Sequence, residues 1–143
     1  MSIGKICTRE VYLAEAEEST YSAAQRMREH SVGTLVVLDK DKKPSGIVTD
    51  RDLVMKVIAE GKNPAEVKVS QVMTIHPRTL REDMPIEDGL HMMRGGQFRR
   101  LPVVDDKGAL QGLVSIDDIL ELLAEELSQI AKIIESQTER RDI

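Results

Sequence analysis

The chain has 143 residues, enough for one ordinary domain or for two small halves that share a core. Its formal charge is −5 with both signs interspersed, which argues against a general nucleic-acid surface, and its three aromatics (Tyr12, Tyr21 and Phe98) are too few for a row of base-stacking platforms. Cys7 is the single cysteine, which excludes an intrachain disulfide and a cysteine zinc cluster, and no apolar run is long enough for a membrane span or a signal segment, so a cytoplasmic location is expected.

In chain order, an apolar stretch, "IGKIC" (3–7), opens the sequence and leads into an extended segment ending near Val11. Cys7 reads as a small buried thiol. A helix is expected over 19–30, with Ser19 as its N-cap and Ala23, Ala24 and Met27 on one face. An apolar strand, "TLVVLD" (34–39), follows, then a tight connection, "KDKKPSG" (40–46), and a second strand, "IVT" (47–49), that runs into a second helix. "AEGKNPAEVK" (59–68) reads as a joint.

Beyond the joint the order recurs. "VSQVMT" (69–74) opens, an extended segment ends near Pro77, and a helix is expected over 84–95 with Pro85 in its first turn. The strand "LPVVD" (101–105) carries Pro102, which places it at a sheet edge or puts the proline at its start. A shift of 66 places aligns the two stretches without a gap: Thr8 meets Thr74, Met27 meets Met93, Leu35 meets Leu101, Gly46 meets Gly112 and Asp52 meets Asp118. The chain is therefore read as α/β (α+β), with two β-α-β-β-α units of 1–62 and 63–123 related by a pseudo-twofold. A helical tail over 124–143 ends it. The amphipathic stretch over 120–143 carries a stripe of Leu120, Leu123, Leu127, Ile130 and Ile134 that suits either packing on its own domain or a dimer seam.

Thr49 and Asp52, like Ser115 and Asp118, have the spacing of a capping box at a helix start. The same geometry suits a ligand. A helix N-terminus favours an anion, and an ionised aspartate accepts hydrogen bonds only, so it can take both hydroxyls of a ribose. His30, His76 and His91 lack metal-ligand spacing, and no nucleophile–base pair is discernible, so no enzyme is expected.

The doubled pattern, with "VMT" opening the second unit and "LPVVD" preceding "GLVSIDDIL", resembles a tandem pair of cystathionine β-synthase (CBS) domains, a Bateman module. The resemblance implies two composite clefts that take adenosine-containing ligands: AMP, ADP or ATP, with or without Mg²⁺, or S-adenosylmethionine. Carried over by position, one cleft holds Thr49, Asp52, Thr74, Pro77, Phe98 and Arg99. The other holds Ser115, Asp118, Thr8, Val11, Val32, Gly33 and Thr34. Asp52 and Asp118 would grip the ribose. Arg51 and Arg99 would collect at the Asp52 cleft, with Arg100 shared between it and the Asp118 cleft, and face phosphates there, which makes the Asp52 cleft the tighter nucleotide site. The resemblance further implies a homodimeric regulatory sensor that signals to a separate effector protein. The alternative is a dimerisation module with vestigial clefts.

Overall fold

The computed structural model of the chain describes residues 1–96 and 99–141. Helix α1 (Ile3–Ile6) is a single turn at the start. The first repeat continues with β1 (Leu13–Ala14), α2 (Thr20–His30), β2 (Thr34–Leu38), β3 (Pro44–Thr49) and α3 (Asp50–Leu53), which runs on as a π-helical turn through Val54–Ile58. A 3₁₀ turn at Val69–Gln71 opens the second repeat. After it come β4 (Thr74–Ile75), β5 (Leu80–Arg81), α4 (Ile86–Gly96), β6 (Arg100–Val104), β7 (Leu110–Ser115) and α5 (Ile116–Arg141). Ser19 caps α2 as expected, its hydroxyl accepting from the Ser22 amide at 3.0 Å.

Two sheets result. One has the order β1-β2-β3-β4 and the other β5-β6-β7. In each, the central strand pairs in parallel with the short strand before it and antiparallel with the next. Both hairpins carry an irregularity at the same repeat position, between Val37 and Leu38 and between Val103 and Val104.

The repeats exchange their opening segments. β4 belongs by sequence to the second repeat, yet it pairs with β3 of the first through Ile47 and Thr74. The reciprocal contact is the bridge between Thr8 and Leu113, the same two positions shifted by the repeat length. Ile3 is fully buried in the second repeat's core, and its counterpart Val69 is fully buried in the first. Packing thus crosses the sequence boundary: Val67, Val69 and Val72 lie in the core of the first repeat although they follow the 62/63 division. Two aliphatic cores form, one around Leu35, Val37 and Val48, the other around Leu101, Val103 and Val114. Each such side chain contributes roughly 1.5–3 kcal/mol of burial.

Pro102 departs from expectation. It is the third residue of β6, the central strand of its sheet. Its counterpart Val36 donates its amide to the Tyr12 carbonyl at 3.1 Å. Proline has no such donor, so pairing of β5 with β6 starts one rung later, at Leu80 and Val103, where the first sheet begins at Leu13 and Val36. The sheet shortens its parallel ladder instead of expelling the proline to an edge.

The tail is no separate element. α5 is one continuous helix that starts at the end of β7. Only its first two turns, through Ile116, Ile119 and Leu122, join the second core.

Candidate functional site

The site is built where two strands end and helices begin. β7 delivers Ser115 in extended backbone, and α5 turns at once, which places Asp118 at its third position. The Ser115 hydroxyl accepts from the Asp118 amide at 3.1 Å, and Asp118 Oδ2 accepts from the Ser115 amide at 2.9 Å. Thr49 and Asp52 form the same reciprocal pair at 3.2 and 2.9 Å. Both motifs are therefore capping boxes. That function leaves a carboxylate with acceptor capacity, and the two sites differ in how much remains.

Around Asp118 a cleft of about 280 Å³ opens between the repeats. All seven residues expected there line it: Thr8, Val11, Val32, Gly33, Thr34, Ser115 and Asp118. The exchange of opening segments explains the convergence, because the Thr8–Leu113 bridge holds the first repeat's opening beside β7. Helix α2 ends on Ser31 in left-handed backbone (φ 54°), and this reversal turns residues 32–34 into the cleft wall. Asp118 Oδ1 has no hydrogen-bond partner among the described residues. The buried Thr34 hydroxyl in the same wall also lacks one.

Four lining residues escape the sequence reading: Glu10, Tyr12, Ser31 and Leu113. Each adjoins or bridges a residue that the motif does name. Tyr12 stacks on His30 with ring centroids 3.9 Å apart, and its hydroxyl donates to Glu10 at 2.8 Å. That bond to a carboxylate raises the phenol above its ordinary pKa. The scarcity of aromatics was the one available signal for Tyr12.

The residues expected around Asp52 are arranged differently. Thr74 opens β4 beside Ile47, and Pro77 is half-buried two residues past that strand. Arg51 lies exposed in α3. Phe98 lies outside the described residues. Arg100 lines the Asp118 cleft, and Arg99 stands 3.8 Å from Asp117, both side chains largely exposed. The basic cluster expected at Asp52 is thus not assembled there by the described residues. Asp52 instead meets Lys56, with Nζ 3.1 Å from Oδ1.

Cys7 is half-buried against the second core, and burial pushes its thiol up from the ordinary value. Among the described residues no group of His, Cys, Asp or Glu has the makings of a metal site. No helix there is long and apolar enough to cross a membrane.

The family model for the CBS domain matches residues 3–59 and 69–125. An uncharacterised protein of Methanopyrus kandleri is 39% identical over 122 residues, which cover 85% of this chain and 62% of that one. Among solved structures, a hexameric CBS-CP12 protein from bloom-forming cyanobacteria superposes with a TM-score of 0.78 at 27% identity, covering 84% of this chain and 66% of that one. The CBS domain pair of protein MJ0100, in complex with 5′-methylthioadenosine and S-adenosyl-L-methionine, superposes with a TM-score of 0.78 at 26% identity, covering 88% of this chain and 98% of that one. The chain belongs to the CBS-domain family and carries two CBS domains in tandem. It spans about 62% of the length of the Methanopyrus relative.

Proposed function

We propose that this CBS pair is a regulatory module, without catalysis of its own, that binds an adenosine-containing ligand in the Asp118 cleft and passes its occupancy to a partner protein. The observation that carries the reading is the composite lining of that cleft, with an unpartnered carboxylate oxygen on one repeat facing a wall from the other. A cis-diol donates two hydroxyls, and Asp118 has acceptor sites for both. The aliphatic side chains of Val11, Val32 and Leu113 suit a purine face. The related domain pair that holds methylthioadenosine and S-adenosylmethionine supports the same ligand class.

Charge ranks the members of that class. Glu10 and Asp118 line the cleft against one cation, Arg100. Asp50 stands over Gly33 at the rim, where a Cβ would meet its carboxylate at 2.7 Å, and Asp117 already neighbours Arg99. This set disfavours several phosphates and suits a neutral or cationic 5′ group. Methylthioadenosine and S-adenosylmethionine should bind more tightly than AMP, and AMP more tightly than ADP or ATP, with Mg²⁺ narrowing the gap for ATP.

Ligand bound there touches both repeats and the first turn of α5. Its ordering effect is carried outward along α5, whose 26 residues extend about 39 Å. The exposed stripe on that helix supports a homodimer, whose paired helices the effector would read.

Calorimetric titration of methylthioadenosine, S-adenosylmethionine, AMP and ATP into the wild type and Asp118→Ala tests the proposal. Loss of the hydrogen bonds to a charged acceptor should weaken binding roughly ten- to a hundredfold. If no adenine ligand binds, and none raises the melting temperature, the chain is a dimerisation module with vestigial clefts.

A further inference from the structure

The two capping boxes look alike, but their carboxylates are not equally available. Asp52 Oδ2 accepts from the Thr49 amide at 2.9 Å and from the Thr49 hydroxyl at 3.2 Å. Asp52 Oδ1 faces the Lys56 ammonium at 3.1 Å. A carboxylate has about four acceptor sites. Among the described residues three sites are engaged at Asp52, whereas Asp118 shows one, to the Ser115 amide. Gripping a cis-diol needs two. The arithmetic leaves Asp118 competent and Asp52 one short.

The difference has two parts: the Thr49 hydroxyl donates to Asp52 where none is seen from Ser115 to Asp118, and a lysine faces Asp52. Lys56 lies one helical turn beyond Asp52, and the repeat shift of 66 maps it onto Leu122. Leu122 packs against the second core and cannot reach for a carboxylate. Lys56 reaches back to Asp52 and also donates to the Val72 carbonyl at 2.9 Å. It therefore ties α3 to the opening segment of the opposite repeat, the two elements whose counterparts enclose the Asp118 cleft. Its stem is half exposed, but its ammonium has two fixed acceptors.

We infer that Lys56 is an internal cation that occupies the first carboxylate, so that the chain binds one adenosine ligand, at Asp118, and that removing this lysine frees the first carboxylate for a second. The inference rests on the ligand class proposed above. It adds which of the two clefts is used and which residue decides.

Titration of 5′-methylthioadenosine tests it in four proteins: wild type, Lys56→Leu, Asp118→Ala, and Lys56→Leu combined with Asp118→Ala. Lys56→Gln serves as a second variant in case the leucine promotes association. The wild type should bind about one equivalent, and Lys56→Leu about two. The double variant should keep the new site at an affinity within about tenfold of the original, a gap of one lost hydrogen bond. A wild type with two sites, one of them removed by Asp52→Ala, overturns the inference. So does a Lys56 variant that still binds one equivalent while Asp118 is intact. A ligand-free measurement separates this failure from failure of the ligand proposal. Acetylation of Lys56 by acetic anhydride, read by mass spectrometry, should accelerate several-fold in Asp52→Asn. If no protein binds methylthioadenosine but this acceleration is seen, the ligand class is wrong and the Lys56 contact stands. If the rate does not change, the contact itself is wrong and the inference falls with it.

Discussion

At the scale of single residues, two glycines bear most directly on how the cleft is built. Gly112 lies where the opening segment of the first repeat crosses β7, and a Cβ there would stand 2.6 Å from the Thr8 carbonyl oxygen. Its counterpart Gly46 lies where the other opening segment crosses β3, and there a Cβ would collide with the Met73 thioether. Backbone cannot yield as a methionine side chain can. Gly112→Ala should therefore cost about 1–3 kcal/mol and loosen the Thr8 wall, whereas Gly46→Ala should cost less, in urea unfolding. Equal losses would mean that the crossing at Thr8 is not rigid. Glu18 sets an acid limit. Burial pushes its carboxyl up, but bonds from Arg26 at 2.8 Å, from the Glu15 amide and from Ser22 outweigh burial, so its pKa is lowered. A lowered folded-state pKa gives stability that is fully present above the unfolded value, about 4.3, and is lost as pH falls through the folded one. Glu18→Gln should be less stable by about 1–2 kcal/mol at pH 7 and should lose less than the wild type between pH 5 and pH 3 in thermal melts. Parallel losses in the two proteins would remove Glu18 from the acid response.

Elements were legible in the sequence where a local rule sufficed. Helices α2 and α4 fall within two residues of the expected spans at either end, because Ser19 and Pro85 mark starts that no tertiary contact has to decide. The residues that line the Asp118 cleft were implied by the resemblance to tandem CBS domains, position by position, and not by the repeat itself. What periodicity could not give was partnership. Nothing local in "IGKIC" indicates that Ile3 belongs to the far core, or that the stretch folds as a helical turn. Pro102 misled because the rule for proline counts lost donors. It does not say whether a neighbouring strand reaches that rung. The basic cluster was misplaced for a related reason. Arg99 and Arg100 follow the family's position in the opposite repeat, whereas Arg100 lines the Asp118 cleft and Lys56, one turn along the same helix, is the cation at Asp52.

At the scale of the whole molecule, the unresolved question of the tail has a physical answer. Leu120, Leu123, Leu127, Ile130 and Ile134 are between 45% and 66% exposed, so the stripe does not pack on its own domain. From Leu123 onward no described residue of α5 belongs to either core. Most helical stability in proteins comes from packing of an amphipathic face, and on this stretch of α5 that face is open. The spacing of three and four residues is that of a coiled-coil seam, which is complementary to a second copy of itself. Val54, the counterpart of Leu120, is exposed on the helical turn that continues α3, as are Met55 and Ile58, so both repeats offer an apolar helix on the outer surface. Light scattering on the wild type should give twice the chain mass, and Leu127→Glu, which puts a charge at the centre of the seam, should give the single mass. Because residues of both repeats of one chain already line the Asp118 cleft, the monomeric variant should still bind methylthioadenosine within a few-fold of the wild type. A wild type that runs as a monomer would remove the seam. A Leu127→Glu variant that stays dimeric would move the contact to the surface around Met55 and Ile58. A monomer that no longer binds ligand would show that the partner chain completes the cleft.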